Sequence, residues 1–81
     1  MLSLEVKTKE TSEKVIQRLK DYFGPGGLGL ELTSDTHGCV TFEGSGGYVT
    51  ASVCSEEKGT KVELETREWE HQVKRFASEI G

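Results

Sequence analysis

Asparagine is absent from this chain of 81 residues, cysteine occurs twice and proline once, and no apolar run approaches the length of a bilayer. Each shortage closes a class. Without an 18-residue apolar stretch there is no transmembrane helix. The opening Met-Leu-Ser-Leu-Glu-Val-Lys has neither the basic start nor the apolar centre of a secretory signal, so the chain reads as cytoplasmic, with no membrane partner. Two cysteines, Cys39 and Cys54, are too few for a disulfide scaffold and read as thiols. Basic residues are also short: 10 against 14 acidic ones, for a formal charge of −4. Binding to nucleic acid draws most of its affinity from neutralising phosphates, so this balance argues against a nucleic-acid partner. The missing asparagine removes a residue prone to chemical damage when hot.

What is present is a change of hydrophobic period. From Leu28 to Thr66 apolar residues recur at every second position, whereas before and after they recur every three to four. Leu2, Leu4 and Val6 alternate with polar residues as a first half-buried strand. A helix follows, capped by Thr11 or Ser12, with Val15, Ile16, Leu19, Tyr22 and Phe23 as its apolar stripe. Gly24 is expected to end it in a left-handed conformation, and Pro25 keeps it from resuming. Leu28, Leu30 and Leu32 then mark a second strand, Ser34 to Gly38 a turn, and Val40 and Phe42 a third strand. Gly44-Ser45-Gly46-Gly47 is a tight hairpin connection into a fourth strand, Tyr48 to Cys54. After a turn at Ser55–Gly59, Val62 and Leu64 carry the fifth strand. Thr66 is expected to cap a last helix bearing Trp69, Val73, Phe76, Ala77 and Ile80.

One domain over residues 1–81 follows, of α+β class and order β-α-β-β-β-β-α. It consists of a curved antiparallel sheet of five strands with both helices packed on one face. The first strand is expected beside the fifth. The even positions of strands one, two, three and five and the odd positions of strand four supply the core, joined by the two helical stripes. Truncating Trp69 or Phe76 to alanine is expected to cost roughly 3–5 kcal/mol.

Several residue sets look like chemistry. Gly24 to Gly29 spells G-x-G-x-x-G, but phosphate binding by that pattern needs a strand before it and a helix after it, and here the order is reversed. His37, Cys39 and Cys54 fall near one another by register, yet close-spaced ligand pairs are missing and no metal or other cofactor is expected. A strand-borne thiol beside glutamates has nothing to lower its pKa, and no third group orients His37. No catalytic residue is assigned and the chain reads as non-enzymatic. The remaining candidate is the sheet face turned away from the helices. Its centre is Tyr48, Thr50, Thr41, Ser52, Cys39 and Cys54, with acidic residues around it, a composition suited to contact with a protein partner or with a second copy as a homodimer. The alternative is a small apolar ligand held between the last helix and the sheet, around Trp69, Phe42, Gly26 and Gly27.

The element order strand, helix, four strands, helix resembles the repeat unit of the TATA-box-binding protein and the wider helix-grip class. The resemblance covers the whole chain as topology and implies a fold rather than an activity. The TATA-binding family reads DNA through basic and phenylalanine side chains on its open face; here the equivalent face carries Glu5, Glu31, Glu43, Glu63 and Glu65 against Lys7 and Lys61. Two such units side by side would repeat that family's two-fold saddle. Helix-grip proteins are similar in holding apolar ligands under the last helix, but they use longer chains with extra strands.

Overall fold

Five strands and two helices form in the expected order in the computed structural model, which describes residues 1–81. The strands are β1 (Leu2–Thr8), β2 (Glu31–Thr36), β3 (Cys39–Gly44), β4 (Gly47–Glu56) and β5 (Gly59–Arg67); the helices are α1 (Ser12–Phe23) and α2 (Glu70–Ile80). The sheet order is β1-β5-β4-β3-β2, antiparallel throughout, with β1 beside β5 as expected. Strands β2 to β5 form a meander. Two of its connections are two-residue turns with both residues left-handed: His37 and Gly38 (φ 49° and 82°), and Ser45 and Gly46 (φ 51° and 80°). That geometry matches the right-handed twist of the strands it joins.

Helix α1 lies mainly over β4, and α2 over β1 and β5, all on one face. The buried core between them comprises Val15, Leu19, Phe23, Val73, Phe76 and Ile80 from the helices, with Leu30, Val40, Phe42, Val49, Ala51, Val53, Val62 and Leu64 from the sheet side. Phe23 lies at its centre, its ring centroid 5.8 Å from Phe42 and 5.5 Å from Phe76. Where the inward positions reach strand ends the core turns to threonine, and each hydroxyl finds a partner. Thr66 donates to the Tyr48 carbonyl (2.7 Å) and Thr60 to the Glu10 carbonyl (2.7 Å), so no buried side-chain polar atom is left unpaired.

Four local expectations are corrected. Leu28 lies in the turn after α1, and both it and Leu32 are exposed, at 39% and 36%. Leu32 pairs with buried Phe42 but belongs to an edge strand; beyond it a bulge between Leu32 and Ser34 shifts the register, so that Asp35 rather than an even residue pairs with Val40. The bulge reverses the parity of the strand and turns Asp35 to the helix side, where its carboxylate meets Lys20 Nζ at 2.8 Å. Second, the segment from Ser34 to Gly38 is strand up to Thr36, with only His37 and Gly38 in the turn. Third, Gly24 is extended (φ −76°), and α1 ends because the chain folds back on it: the Leu28 and Leu30 amides donate to the Tyr22 and Phe23 carbonyls, each at 2.9 Å. Fourth, Thr66 is not a cap, since β5 continues to Arg67. Helix α2 starts after Glu68 in a left-handed conformation (φ 77°) and Trp69, with the Glu70 carboxylate accepting from the Glu68 amide.

Candidate functional site: the open face of the sheet

Residues directly opposite one another in antiparallel strands point to the same face. The register therefore places Tyr48, Thr50, Ser52 and Cys54 of the central strand β4 in one surface with Glu43, Thr41 and Cys39 of β3 and with Arg67, Glu65, Glu63 and Lys61 of β5. Strand β1 adds Ser3, Glu5 and Lys7. All six residues expected at the centre of the face lie on it. Four of them, Thr41, Tyr48, Thr50 and Ser52, are half-buried by their neighbours, while the two cysteines are exposed.

Their polar atoms are tied together laterally. The Thr41 and Thr50 hydroxyls meet at 3.3 Å, the Cys39 thiol donates to Ser52 Oγ at 3.7 Å, and Thr33, the bulged residue of β2, donates to the Glu43 carboxylate at 2.8 Å. Tyr48 reaches across β5 to donate its hydroxyl to Glu65 (2.8 Å). These bonds tie the short side chains of β3 and β4 to one another across the face.

The carboxylate of Glu65 holds the Tyr48 phenol above its ordinary pKa, first through this hydrogen bond, then through desolvation and the negative charge itself; Arg67 works in the opposite direction. A raised folded-state pKa favours the protonated form in the fold. Its stabilisation is complete below the ordinary tyrosine pKa and is lost as pH rises through the raised one. In an alkaline titration followed by ultraviolet absorbance, Tyr48 should therefore ionise later than an ordinary tyrosine. Glu65→Gln should bring it back towards the ordinary value. A Tyr48 unaffected by that substitution would show that Glu65 does not hold it.

The charge is distributed differently from the expected acidic surround. Because β1 pairs outside β5, the glutamates of β5 lie beside the central strand rather than at an edge. Glu63 stands opposite Ser52 on one side and Glu5 on the other, and Glu65 opposite Thr50 and Ser3. A hollow of about 150 Å³ opens there, lined by Ser3, Thr50, Ser52, Glu63, Leu64 and Glu65. Beside it, Lys61 reaches Glu63 at 3.3 Å and Lys7 approaches Glu56 at 4.0 Å. Lys61 is held above its ordinary pKa by the Glu63 hydrogen bond and charge, with Glu5 contributing. Sequence reading missed Arg67 and Glu56 as members of this surface, because strands four and five run further than their apolar residues do. The same two-residue alternation finds them once the strand ends are known.

His37 occupies the β2–β3 turn beyond the last paired residues, and no three His, Cys, Asp or Glu side chains are grouped so as to hold a metal. The residues of the alternative ligand site do not enclose a space. Phe42 is wholly buried, Trp69 is half-buried with its indole N–H donating to the Gly44 carbonyl (3.2 Å), and Gly26 and Gly27 are exposed in the loop after α1. The apolar concavity that does exist lies between the helices, floored by Tyr22 and Phe76 under Arg18, Asp21 and Glu79. No helix is long and apolar enough to cross a membrane. No protein-family model matches the chain, and no curated protein matches it in sequence at a significant level.

Proposed function

We propose that the chain is a small non-enzymatic interaction domain that binds a protein through the open face of its sheet. The observation that supports this is the one-sided packing: both helices cover one face of five strands, and the other presents an open surface whose central polar side chains are hydrogen-bonded to one another and to Glu65. Such a surface requires no rearrangement to be covered, and its short side chains lose little rotamer freedom when it is. The thiol of Cys39 faces Ser52 rather than a base, which favours contact over chemistry.

Two occupants are compatible with this reading: another protein, or a second copy of the chain, as in the saddle suggested by the TATA-binding resemblance. Light scattering behind a sizing column, across a wide concentration range, separates them. The paired substitution Tyr48→Glu and Thr50→Glu is expected to give a monomer at every concentration with an unchanged circular dichroism spectrum. A wild-type dimer lost in this variant assigns the face to self-association, and a wild-type monomer leaves it to another protein. A dimer that survives the substitution has its contact elsewhere and overturns the reading.

A further inference from the structure

We infer that the occupant of the open face is a cationic protein segment, whose lysine or arginine side chains seat on the glutamates of β5 and β1, rather than a second copy of this chain. This rests on the proposed use of the face for protein binding and specifies the chemistry of the partner.

The charge of the molecule is gathered on one side. The outer face carries Glu5, Glu31, Glu43, Glu56, Glu63 and Glu65 against Lys7, Lys61 and Arg67. The rest of the chain holds eight acidic and seven basic residues, so three of the four net negative charges belong to the surface the helices leave open. Two copies meeting face to face would bring like fields together and desolvate them, which works against association. Nucleic acid and anionic lipid are repelled for the same reason.

Within the face, carboxylates oppose one another in register: Glu5 stands across from Glu63, and Glu31 across from Glu43. Like charges directly opposite on neighbouring strands destabilise a sheet. Glu63 shares a single lysine, Lys61, and Glu5 makes no ion pair of its own. Lys61 is thus the one cation between two opposed carboxylates, and a second would add to the charge it balances.

The hollow supplies a seat. Its lining is two carboxylates and three hydroxyls, with Leu64 of β5 the one apolar residue, around about 150 Å³, room for a guanidinium or ammonium head with some of its water. Carboxylate and hydroxyl oxygens are acceptors for the N–H groups such a head presents. Glu63 and Glu65 are two residues apart on one strand, about 6.6 Å. Alternate residues of an extended basic segment share that spacing, so such a segment can engage both.

Fluorescein-labelled octa-arginine, followed by anisotropy with the full chain at low salt and at about 0.15 M salt, tests this directly. Two paired variants remove the same charge from different places: Glu63→Gln with Glu65→Gln on the face, and Glu13→Gln with Glu79→Gln on the helical side. At about 0.15 M salt the face pair is expected to weaken binding at least ~10-fold and the helical pair less than ~2-fold, because at that ionic strength charges beyond about 8–10 Å are screened. Equal losses in both pairs would mean attraction to net charge alone and overturn the inference, as would an absence of binding at low salt. The two readings fail separately. A dimer that Tyr48→Glu with Thr50→Glu dissociates, together with no octa-arginine site, keeps the face as an interface and removes only the cationic partner. A strict monomer with no octa-arginine site overturns the cationic partner alone and leaves the face to a protein of other chemistry.

Discussion

Replacing Phe23 by alanine is expected to destabilise the fold by about 3–5 kcal/mol, the largest loss from any single side chain here. Phe23 is the last residue of α1 and has no exposed surface. Its ring lies edge-on to Tyr22 (centroids 4.9 Å apart) and meets Phe42 of β3 and Phe76 of α2, so it joins both helices to the sheet. Truncation would empty a volume bounded by three other aromatic rings and the end of a helix whose carbonyls the following loop fixes in place. Neighbours so constrained cannot collapse into the space. A domain of this length has on the order of 4–12 kcal/mol in total, so the variant should be partly unfolded without denaturant. The measurement is a urea titration: the midpoint should fall steeply with little change in slope. Trp69→Ala should cost less, because that indole is half-exposed and already at the rim. A Trp69 variant less stable than the Phe23 variant would put the centre of the core elsewhere.

Gly27→Ala should be the second severe change, at about 1–3 kcal/mol or somewhat more, while its neighbour Gly26→Ala should cost almost nothing. The two lie side by side in the loop that follows α1, and in the sequence they are indistinguishable. A methyl group on Gly27 would run into the Tyr22 and Asp21 carbonyl oxygens at the end of the helix. A methyl group on Gly26 would meet nothing within 4 Å. The obstruction at Gly27 is backbone. Relief would require moving the segment whose amides satisfy the Tyr22 and Phe23 carbonyls, so the cost includes those hydrogen bonds. Thermal melts of the two variants side by side provide the test. Equal melting temperatures would mean that the loop is free to lift off the helix end. The glycine-rich run thus has a structural use: it lets the chain turn back against α1 closely enough to deliver Leu30 to the core.

These residues show why some of the structure was readable in advance and some was not. Leu4, Val6, Val40, Phe42, Val49, Ala51, Val53, Val62 and Leu64 all face the helices as the two-residue period requires. Shifting any of them by one position would expose an apolar side chain, so the pattern carries the register. β2 escaped that logic. Its bulge reverses parity in mid-strand, and Leu28 and Leu32 belong to a turn and to an exposed edge, where apolar residues carry no positional information. Thr66 was misread because threonine serves equally as a helix cap and as an inward strand residue. Its ladder pairing and its hydrogen bond to the Tyr48 carbonyl separate the two. For the open face, the membership of Tyr48, Thr50, Thr41, Ser52, Cys39 and Cys54 followed from alternation alone. The hold of Glu65 on Tyr48 and the hollow beside it depend on side-chain reach across strands, which alternation does not encode.

The bulge in β2 has a bearing on how the protein behaves when concentrated. An outermost strand offers unpaired amides and carbonyls to any other extended chain, and a flat one invites stacking into fibres. Here the ladder direction is broken between Leu32 and Ser34, and the same irregularity places the charge of Asp35 on the side where a stacked copy would need apolar packing. The salt bridge to Lys20 then keeps that carboxylate in position. The inserted residue therefore breaks the ladder and sets a charge on the β2 edge, two features that work against amyloid-like growth along it.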